Sequence, residues 1–229
     1  MRRGLRIAGV TLITSGLVIL LDAGITVAWQ EPISAFYSQL RQNAASGELD
    51  SVREDFLDDP AVDRALRRQR EAKQEAQAEE RVADLAKIFS RDLEMGQPIG
   101  RIEIPSIDAD YVVIEGTADA DLQRGPGRYE YTALPGQGKT IGIAGHRTTY
   151  GAPFNKINNV DEGDEVILEM PYGTFTYKVT GTDIVEPTDV DIVDETGRER
   201  LVLTACHPLY SAAQRYVVYA DLERVEPAG

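Results

Sequence analysis

The sequence of 229 residues has one cysteine, two histidines and few basic residues for its length. A single cysteine excludes an internal disulfide framework and a cysteine-rich zinc site. Two histidines leave little for a histidine-based metal centre, so we expect neither a metal nor another cofactor. Lys and Arg number 24 against 38 Asp and Glu, a formal net charge of -14. Because nucleic-acid affinity depends on cations that contact phosphates, nucleic acid is not an expected partner.

An apolar run fills residues 7–29 and is long enough to cross a bilayer as a helix. Arg2, Arg3 and Arg6 precede it, and cationic residues before a membrane helix favour a cytoplasmic N-terminus. We therefore expect a cytoplasmic tail over residues 1–6, a single transmembrane helix, and an extracellular remainder held at the cell membrane. A cleaved signal peptide has the same features and remains the alternative. In both cases the rest of the chain is exported.

Residues 30–96 are predicted to form a charged helical stalk that is mostly solvated. Asp59 and Pro60 are a helix start signal, and Gly96 with Pro98 is the matching stop. The spacing predicts one helix from Pro60 to Met95. Residues 67–81 lack large apolar side chains. The end of the helix carries an apolar stripe that we expect to pack on the following domain: Val82, Leu85, Phe89 and Leu93. A coiled-coil dimer is the rival interpretation, but the sustained heptads that it needs are missing.

Residues 97–229 change to short alternating apolar segments bounded by glycine and proline, which is typical of strands and turns. Eight segments are candidates: Ile102–Ile104, Tyr111–Ile114, Thr140–Ala144, Glu165–Met170, Phe175–Val179, Ile184–Val185, Leu201–Ala205 and Tyr216–Leu222. That number suits a small barrel or sandwich. The predicted fold class is therefore all-β with a short helix. The acidic residues Asp161, Glu162 and Asp164 are predicted to form a polar turn.

Cys206 is the only thiol, and it follows an apolar strand with Pro208 close behind. A free cysteine is often a small buried hydrophobic residue. A position at the end of a strand instead lets its side chain reach a cleft, where a neighbouring base could activate it as a nucleophile. His146 follows another predicted strand and is the preferred base. His207 competes for that role, but neighbours on an extended strand point to opposite faces.

Arg215 opens the strand after Cys206, where a fixed positive charge would favour a thiolate and an oxyanion. The segment Gly145–Phe154, the segment Leu203–Pro208 and Arg215 together resemble the sortases, and they are most similar to class E of the actinobacteria. The order of His146, Cys206 and Arg215 matches the catalytic trio of that family. The resemblance covers about residues 97–226, and the predicted anchor and stalk fit it.

The resemblance implies an eight-stranded sortase-like β-barrel that acts as a cysteine transpeptidase. By carry-over, Cys206 attacks the threonine carbonyl of an LPxTG-like signal, with LAxTG as the class E preference, and forms a thioacyl-enzyme. His146 protonates the leaving amine, and Arg215 holds the substrate backbone and the developing oxyanion. The implied partners are secreted proteins with a C-terminal sorting signal and an amine of a peptidoglycan precursor or cross-bridge. The family's threonine before the nucleophile is Ala205 here, and no calcium site is predicted.

Two other functions compete with this one. A cell-wall L,D-transpeptidase also places histidine before cysteine, but Ala205, Cys206 and His207 do not supply its Gly-Cys-x-Arg arrangement. Papain-like cysteine peptidases have the reverse order of cysteine and histidine. A non-enzymatic membrane-anchored scaffold would explain the stalk, but not the position of the only thiol beside two potential catalytic partners.

Overall fold

The computed structural model describes residues 2–29, 32–71 and 78–228. Helices come first in the chain, and their bounds are α1 (Arg2–Trp29), α2 (Pro32–Asp58), α3 (Pro60–Glu71) and α4 (Ala78–Phe89). A β-barrel follows, as the apolar alternation after residue 97 predicts.

Helix α1 exposes large apolar side chains along its length, among them Ile7, Leu12 and Leu21. Within the residues that the structure describes, no helix is both long enough and apolar enough to span a membrane. The transmembrane helix expected over residues 7–29 therefore stays a prediction.

The stalk differs from the solvated spacer that the sequence predicts, because its helices pack against the barrel. Ala45 of α2 and Val62 of α3 are fully buried. The Phe56 and Phe89 rings of α2 and α4 lie 5.4 Å apart, and Phe89 lies 5.6 Å from the Tyr172 ring of the barrel. Scattered apolar residues at helical spacing are enough to dock an otherwise charged helix.

The helix predicted from Pro60 to Met95 is also corrected. It includes residues 72–77, which lie outside the described residues, and its second part ends at Phe89. The apolar stripe at its end does pack as predicted: Val82, Leu85 and Phe89 are buried, and Leu93 contacts the same core.

A polar side chain completes the docking of α2. Gln42 accepts a hydrogen bond from the Val112 amide at 2.7 Å through Oε1, and its Nε2 donates to the Val112 carbonyl at 3.4 Å. Nε2 also donates to the Arg124 carbonyl at 2.5 Å. The amide of one helical glutamine thus bonds both backbone polar groups of a barrel residue.

The barrel contains eight strands among the described residues, as predicted. Their bounds are β1 (Pro98–Ile104), β2 (Ala109–Glu115), β3 (Gly127–Arg128), β4 (Thr140–Gly145), β5 (Glu165–Met170), β6 (Gly173–Val185), β7 (Arg200–His207) and β8 (Gln214–Pro227). They close in the order β1-β2-β3-β4-β7-β8-β6-β5. The pairs β2–β3 and β4–β7 are parallel, and the others are antiparallel. A short helix, α5 (Asp119–Leu122), lies between β2 and β3, and Asp161–Asp164 form a turn.

Two strand predictions were wrong although the total agrees. Phe175–Val179 and Ile184–Val185 belong to one strand, β6, whose register against β8 shifts twice. Irregularities of this kind break the alternation that marks a strand, so one strand looks like two. Strand β3 has two residues and is not among the predicted segments, because no periodicity can emerge from so short a segment.

A buried ion pair joins β2 to β3. Glu115 and Arg128 face each other in the parallel register and are 4% and 5% exposed. Nε of Arg128 donates to Oε2 of Glu115 at 2.8 Å, and Nη2 donates to the other carboxylate oxygen. Nη1 donates to the backbone carbonyls of Tyr129 and Thr132. Both charges are therefore compensated inside the protein.

Candidate active site

The carboxyl ends of β4 and β7 lie side by side because these strands are parallel. Gly145, the last residue of β4, pairs with Ala205 of β7, and His146 follows directly. Strand β8 returns antiparallel to β7 and pairs Arg215 with Cys206. Directly opposed residues of an antiparallel pair have Cβ atoms about 5 Å apart on one face. The three predicted site residues therefore meet at one corner of the barrel.

Cys206 is half-buried on the outer side of β7. Ala205 belongs to the main core, whereas Val202 packs with Val217 in a separate cluster. Because side chains alternate along a strand, Cys206 continues the row of Val202 and Thr204. The thiol thus lies beside the barrel core rather than within it. Ala205 offers no hydroxyl group next to it.

His146 is half-buried in the loop that follows β4. Burial lowers the pKa of His146 below its ordinary value of 6.5, and the negative charge of Asp119 partly offsets that effect. The His146 ring lies 5.1 Å from the Tyr150 ring. The His146 carbonyl accepts a hydrogen bond from the Phe154 amide at 3.0 Å, which closes the loop on itself. A largely neutral imidazole in an ordered loop can accept and return a proton near neutral pH.

Helix α2 holds this loop from outside. Ser38 donates a hydrogen bond to the Tyr150 carbonyl at 3.0 Å, and the Arg41 guanidinium lies 5.9 Å from the centre of the Tyr150 ring. Gly151 has a φ of +80°, and a Cβ atom there would lie 2.2 Å from the Ser38 hydroxyl oxygen. Only glycine permits both this conformation and this close approach of the helix.

The Arg215 guanidinium is half-buried beside Cys206. Its Nη1 donates to the carbonyls of Ala212 and Gln214, each at 3.0 Å. These contacts fix the head group while Nε and Nη2 have no partner among the described residues. An arginine held in this way can donate to a substrate carbonyl or to an oxyanion.

His207 lies on the other side of β7 from the thiol. Its ring packs 5.9 Å from the Tyr216 ring. Its Nδ1 is 2.8 Å from Nη1 of Arg147, and a guanidinium has only donors. Nδ1 of His207 must therefore accept this hydrogen bond, which places the ring proton on Nε2. In that state His207 has no unoccupied lone pair with which to act as a base.

Sequence reasoning missed Arg147, Tyr150 and Tyr216. Arg147 forms a hydrogen bond with His207. The Tyr150 ring packs against His146, and the Tyr216 ring packs against His207. Arg147 stands next to His146, and that adjacency was the only signal of its place in the site. Tyr150 and Tyr216 carry no signal in the sequence, since tyrosine is common in cores and on strand surfaces.

No cluster of three or more His, Cys, Asp or Glu side chains that could hold a metal ion occurs in residues 2–29, 32–71 or 78–228. A thiol, an imidazole and a guanidinium at one corner of the barrel are groups that can carry out acyl transfer.

Residues 102–223 match the sequence profile of the sortase domain, which covers more than half of the chain. Among curated proteins, Sortase D of Bacillus subtilis is 36% identical over 130 residues, which are 55% of this chain and 64% of the relative. The chain thus covers less than two thirds of that relative's length. Sortase SrtE2 of Streptomyces coelicolor is 29% identical over 238 residues, 96% of this chain and 82% of the relative.

The fold has the same relatives among solved structures. Sortase E of Streptomyces avermitilis superimposes with a TM-score of 0.54 at 35% identity, over 59% of this chain and 93% of that chain. The shared part therefore has the size of the barrel.

Proposed function

Since this chain belongs to the sortase family, we propose that it is a cysteine transpeptidase that cleaves a sorting signal and transfers the protein to an amine. The observation that carries the proposal is the strand register. It sets Arg215 opposite Cys206 and starts the His146 loop beside Ala205. Two of the three groups come from strands β7 and β8, and the third comes from the loop that follows β4.

In the proposed first step, the Cys206 thiol gives its proton to His146, and its sulfur attacks the threonine carbonyl carbon of the signal. The C–N bond to the following glycine breaks, and His146 gives a proton to the leaving amine. In the second step, an acceptor amine attacks the thioester carbon and loses its proton to His146. The C–S bond breaks, and His146 returns that proton to the sulfur. Arg215 donates to the carbonyl oxygen that becomes negative in both steps.

The substrate and the acceptor are finer parts of the proposal. The similarity to sortases of class E favours an LAxTG signal, with LPxTG as the broader class. The acceptor is an amine of a peptidoglycan precursor or cross-bridge. The donors are secreted proteins that carry the signal at their C-terminus.

Attachment to the cell membrane by residues 7–29, with residues 97–229 outside, is also part of the proposal. The three arginines before the apolar run and the exposed apolar side chains of α1 support it. Carbonate extraction of membranes from cells that express the full chain tests it. Recovery of the chain in the soluble fraction would contradict the anchor without bearing on catalysis.

The catalytic proposal is tested with a fluorogenic LAxTG peptide and either triglycine or a diaminopimelate-type amine. We expect an acyl adduct on Cys206 by intact-mass measurement, and turnover that Cys206→Ala abolishes. A carbapenem should leave Cys206 unmodified, whereas an L,D-transpeptidase would be acylated. Absence of any adduct or turnover in the wild-type chain would contradict the proposal.

A further inference from the structure

Arg147 is a buried cation without a counter-ion. It is 4% exposed, and no carboxylate within the described parts of the chain forms an ion pair with it. An isolated charge in a protein interior costs several kcal/mol unless other groups compensate it. Burial accordingly lowers the pKa of Arg147, and the negative forms of Tyr216 and Cys206 act in the opposite direction. The cost of burying this cation implies that it has a role that offsets the cost.

The guanidinium contacts both strands and the loop of the candidate active site. Nη1 donates to the Cys206 carbonyl at 3.3 Å and to Nδ1 of His207 at 2.8 Å. Nη2 donates to Oδ1 of Asn158 at 2.5 Å, and the group lies 5.8 Å from the centre of the Tyr216 ring. One side chain thereby joins the His146 loop to the end of β7 and to β8.

These contacts help to hold the end of β7, which also pairs with β8. Cys206 and His207 are the last two residues of β7, and both are held by Arg147. Arg147 directly follows His146 in the chain. Its guanidinium therefore contributes to the position of the thiol relative to His146. Displacements of about 1 Å in such a pair can lower a rate by about 100-fold.

We infer that Arg147 is a positioning residue for the reaction proposed above. It fixes the carbonyl of Cys206 and the Nε2–H form of His207, and so aligns the thiol with His146. The inference rests on the proposed function, because the aligned groups matter only if Cys206 is the nucleophile. Arg147 itself does not touch the substrate.

Arg147→Met removes every donor while it retains most of the apolar stem. We expect its kcat to fall by about 10–100-fold with KM changed by less than about threefold, because alignment rather than binding is lost. Arg147→Lys keeps one donor nitrogen and the charge, so it should retain part of kcat. Arg200→Met is the matched control, since Arg200 opens β7, donates to the Ile192 carbonyl at 2.9 Å and lies 5.0 Å from the Tyr219 ring.

A second readout does not depend on turnover. The chain has two histidines, so the ¹⁵N spectrum of histidine-labelled protein contains only two imidazoles. We expect His207 to carry its proton on Nε2 in the wild type and in Arg200→Met. In Arg147→Met, the two tautomers of His207 should become mixed. A His207→Gln variant assigns the signals.

The outcomes separate the inference from the proposed function. If the wild-type chain has neither turnover nor an adduct, the proposed function fails whatever the spectra show. If the wild type is active and Arg147→Met keeps kcat within twofold, or loses kcat with an unchanged His207 signal, the inference is wrong. If Arg147→Met does not fold, Arg147→Lys decides alone: a fall in kcat of threefold or more at constant KM supports it, and a wild-type kcat overturns it.

Discussion

Two arginines are almost equally buried in this protein, but their surroundings differ. Arg128 at the β2–β3 junction is paired with Glu115 and also donates to carbonyls. Among the residues that the structure describes, Arg147 at the β4–β7 corner has only neutral partners: two carbonyls, an imidazole, an amide and an aromatic ring. The first cation is neutralised by the fold, and the second is not.

The difference indicates that the β2–β3 junction is structural, whereas the β4–β7 corner belongs to the proposed reaction. A neutralised pair presents little net charge to a further anion, and this pair joins two strands. An unneutralised cation keeps a positive potential in the corner where a thiolate and an oxyanion form in the proposed reaction. Changes at the first region should therefore reduce stability, and changes at the second should reduce rate.

The largest expected effect tests the chemical region. His146→Ala should lower kcat by about 10²–10⁴, the usual contribution of a general acid and base. His207→Ala should lose less than about tenfold, because Arg147 occupies the lone pair that a base would use. The two variants are measured side by side with the fluorogenic peptide. A larger loss in His207→Ala would reverse the assignment of the base.

The next effect tests the structural region. Arg128→Met leaves Glu115 as a buried, unpaired carboxylate, so the free energy of unfolding should fall by about 3–5 kcal/mol. Arg101→Met breaks an exposed pair with Asp110 and should cost less than about 1 kcal/mol. Urea unfolding of the full chain measures both.

Arg147→Met in the same experiment should cost about 1–2 kcal/mol, since it removes hydrogen bonds but strands no opposite charge. A loss at Arg147 as large as that at Arg128 would erase the distinction between the two regions.

The smallest effect concerns the electrostatics of His146. Burial lowers its pKa, and Asp119 raises it, so Asp119→Asn should lower the pKa of His146 further. The imidazole then becomes protonated only at a more acidic pH than in the wild type. Titration of its ring proton by NMR measures the shift. Asp121→Asn, on the same short helix, is the control and should leave the midpoint unchanged; an upward shift in Asp119→Asn would contradict the sign.

The barrel could be predicted from the sequence because its strands alternate regularly. Six strands were found, although β1 begins four residues before its predicted start and β8 ends five residues after its predicted end. The strand ends next to Cys206, His146 and Arg215 were found with them. Strand β3 was missed because it is too short to show a pattern. Strand β6 was predicted as two segments because its register is irregular. The pairing of Cys206 with Arg215 follows once β7 and β8 are neighbours, which the sequence pattern alone does not establish.

The rest could not be predicted because it depends on polar contacts between distant segments. Ser38 and Gln42 dock α2 through backbone groups of the barrel, and neither residue adds to an apolar stripe. Arginine is usually a surface residue. Arg147 becomes part of the site only because the loop after β4 folds over the end of β7. Patterns of hydrophobicity indicate which apolar side chains are buried. They carry no information about polar contacts between distant segments.

The glutamine on α2 has a consequence for anyone who shortens this protein. Strand β2 pairs with β3 through only two residues, so much of that side of β2 has no strand beside it. Gln42 takes the place of a strand at Val112. A chain begun at Pro98 would leave this edge open and bare the apolar patch beneath α2. Open edges recruit strands from other molecules. Such a shortened protein should therefore self-associate, and a loss of activity in it would report aggregation rather than the chemistry of the thiol.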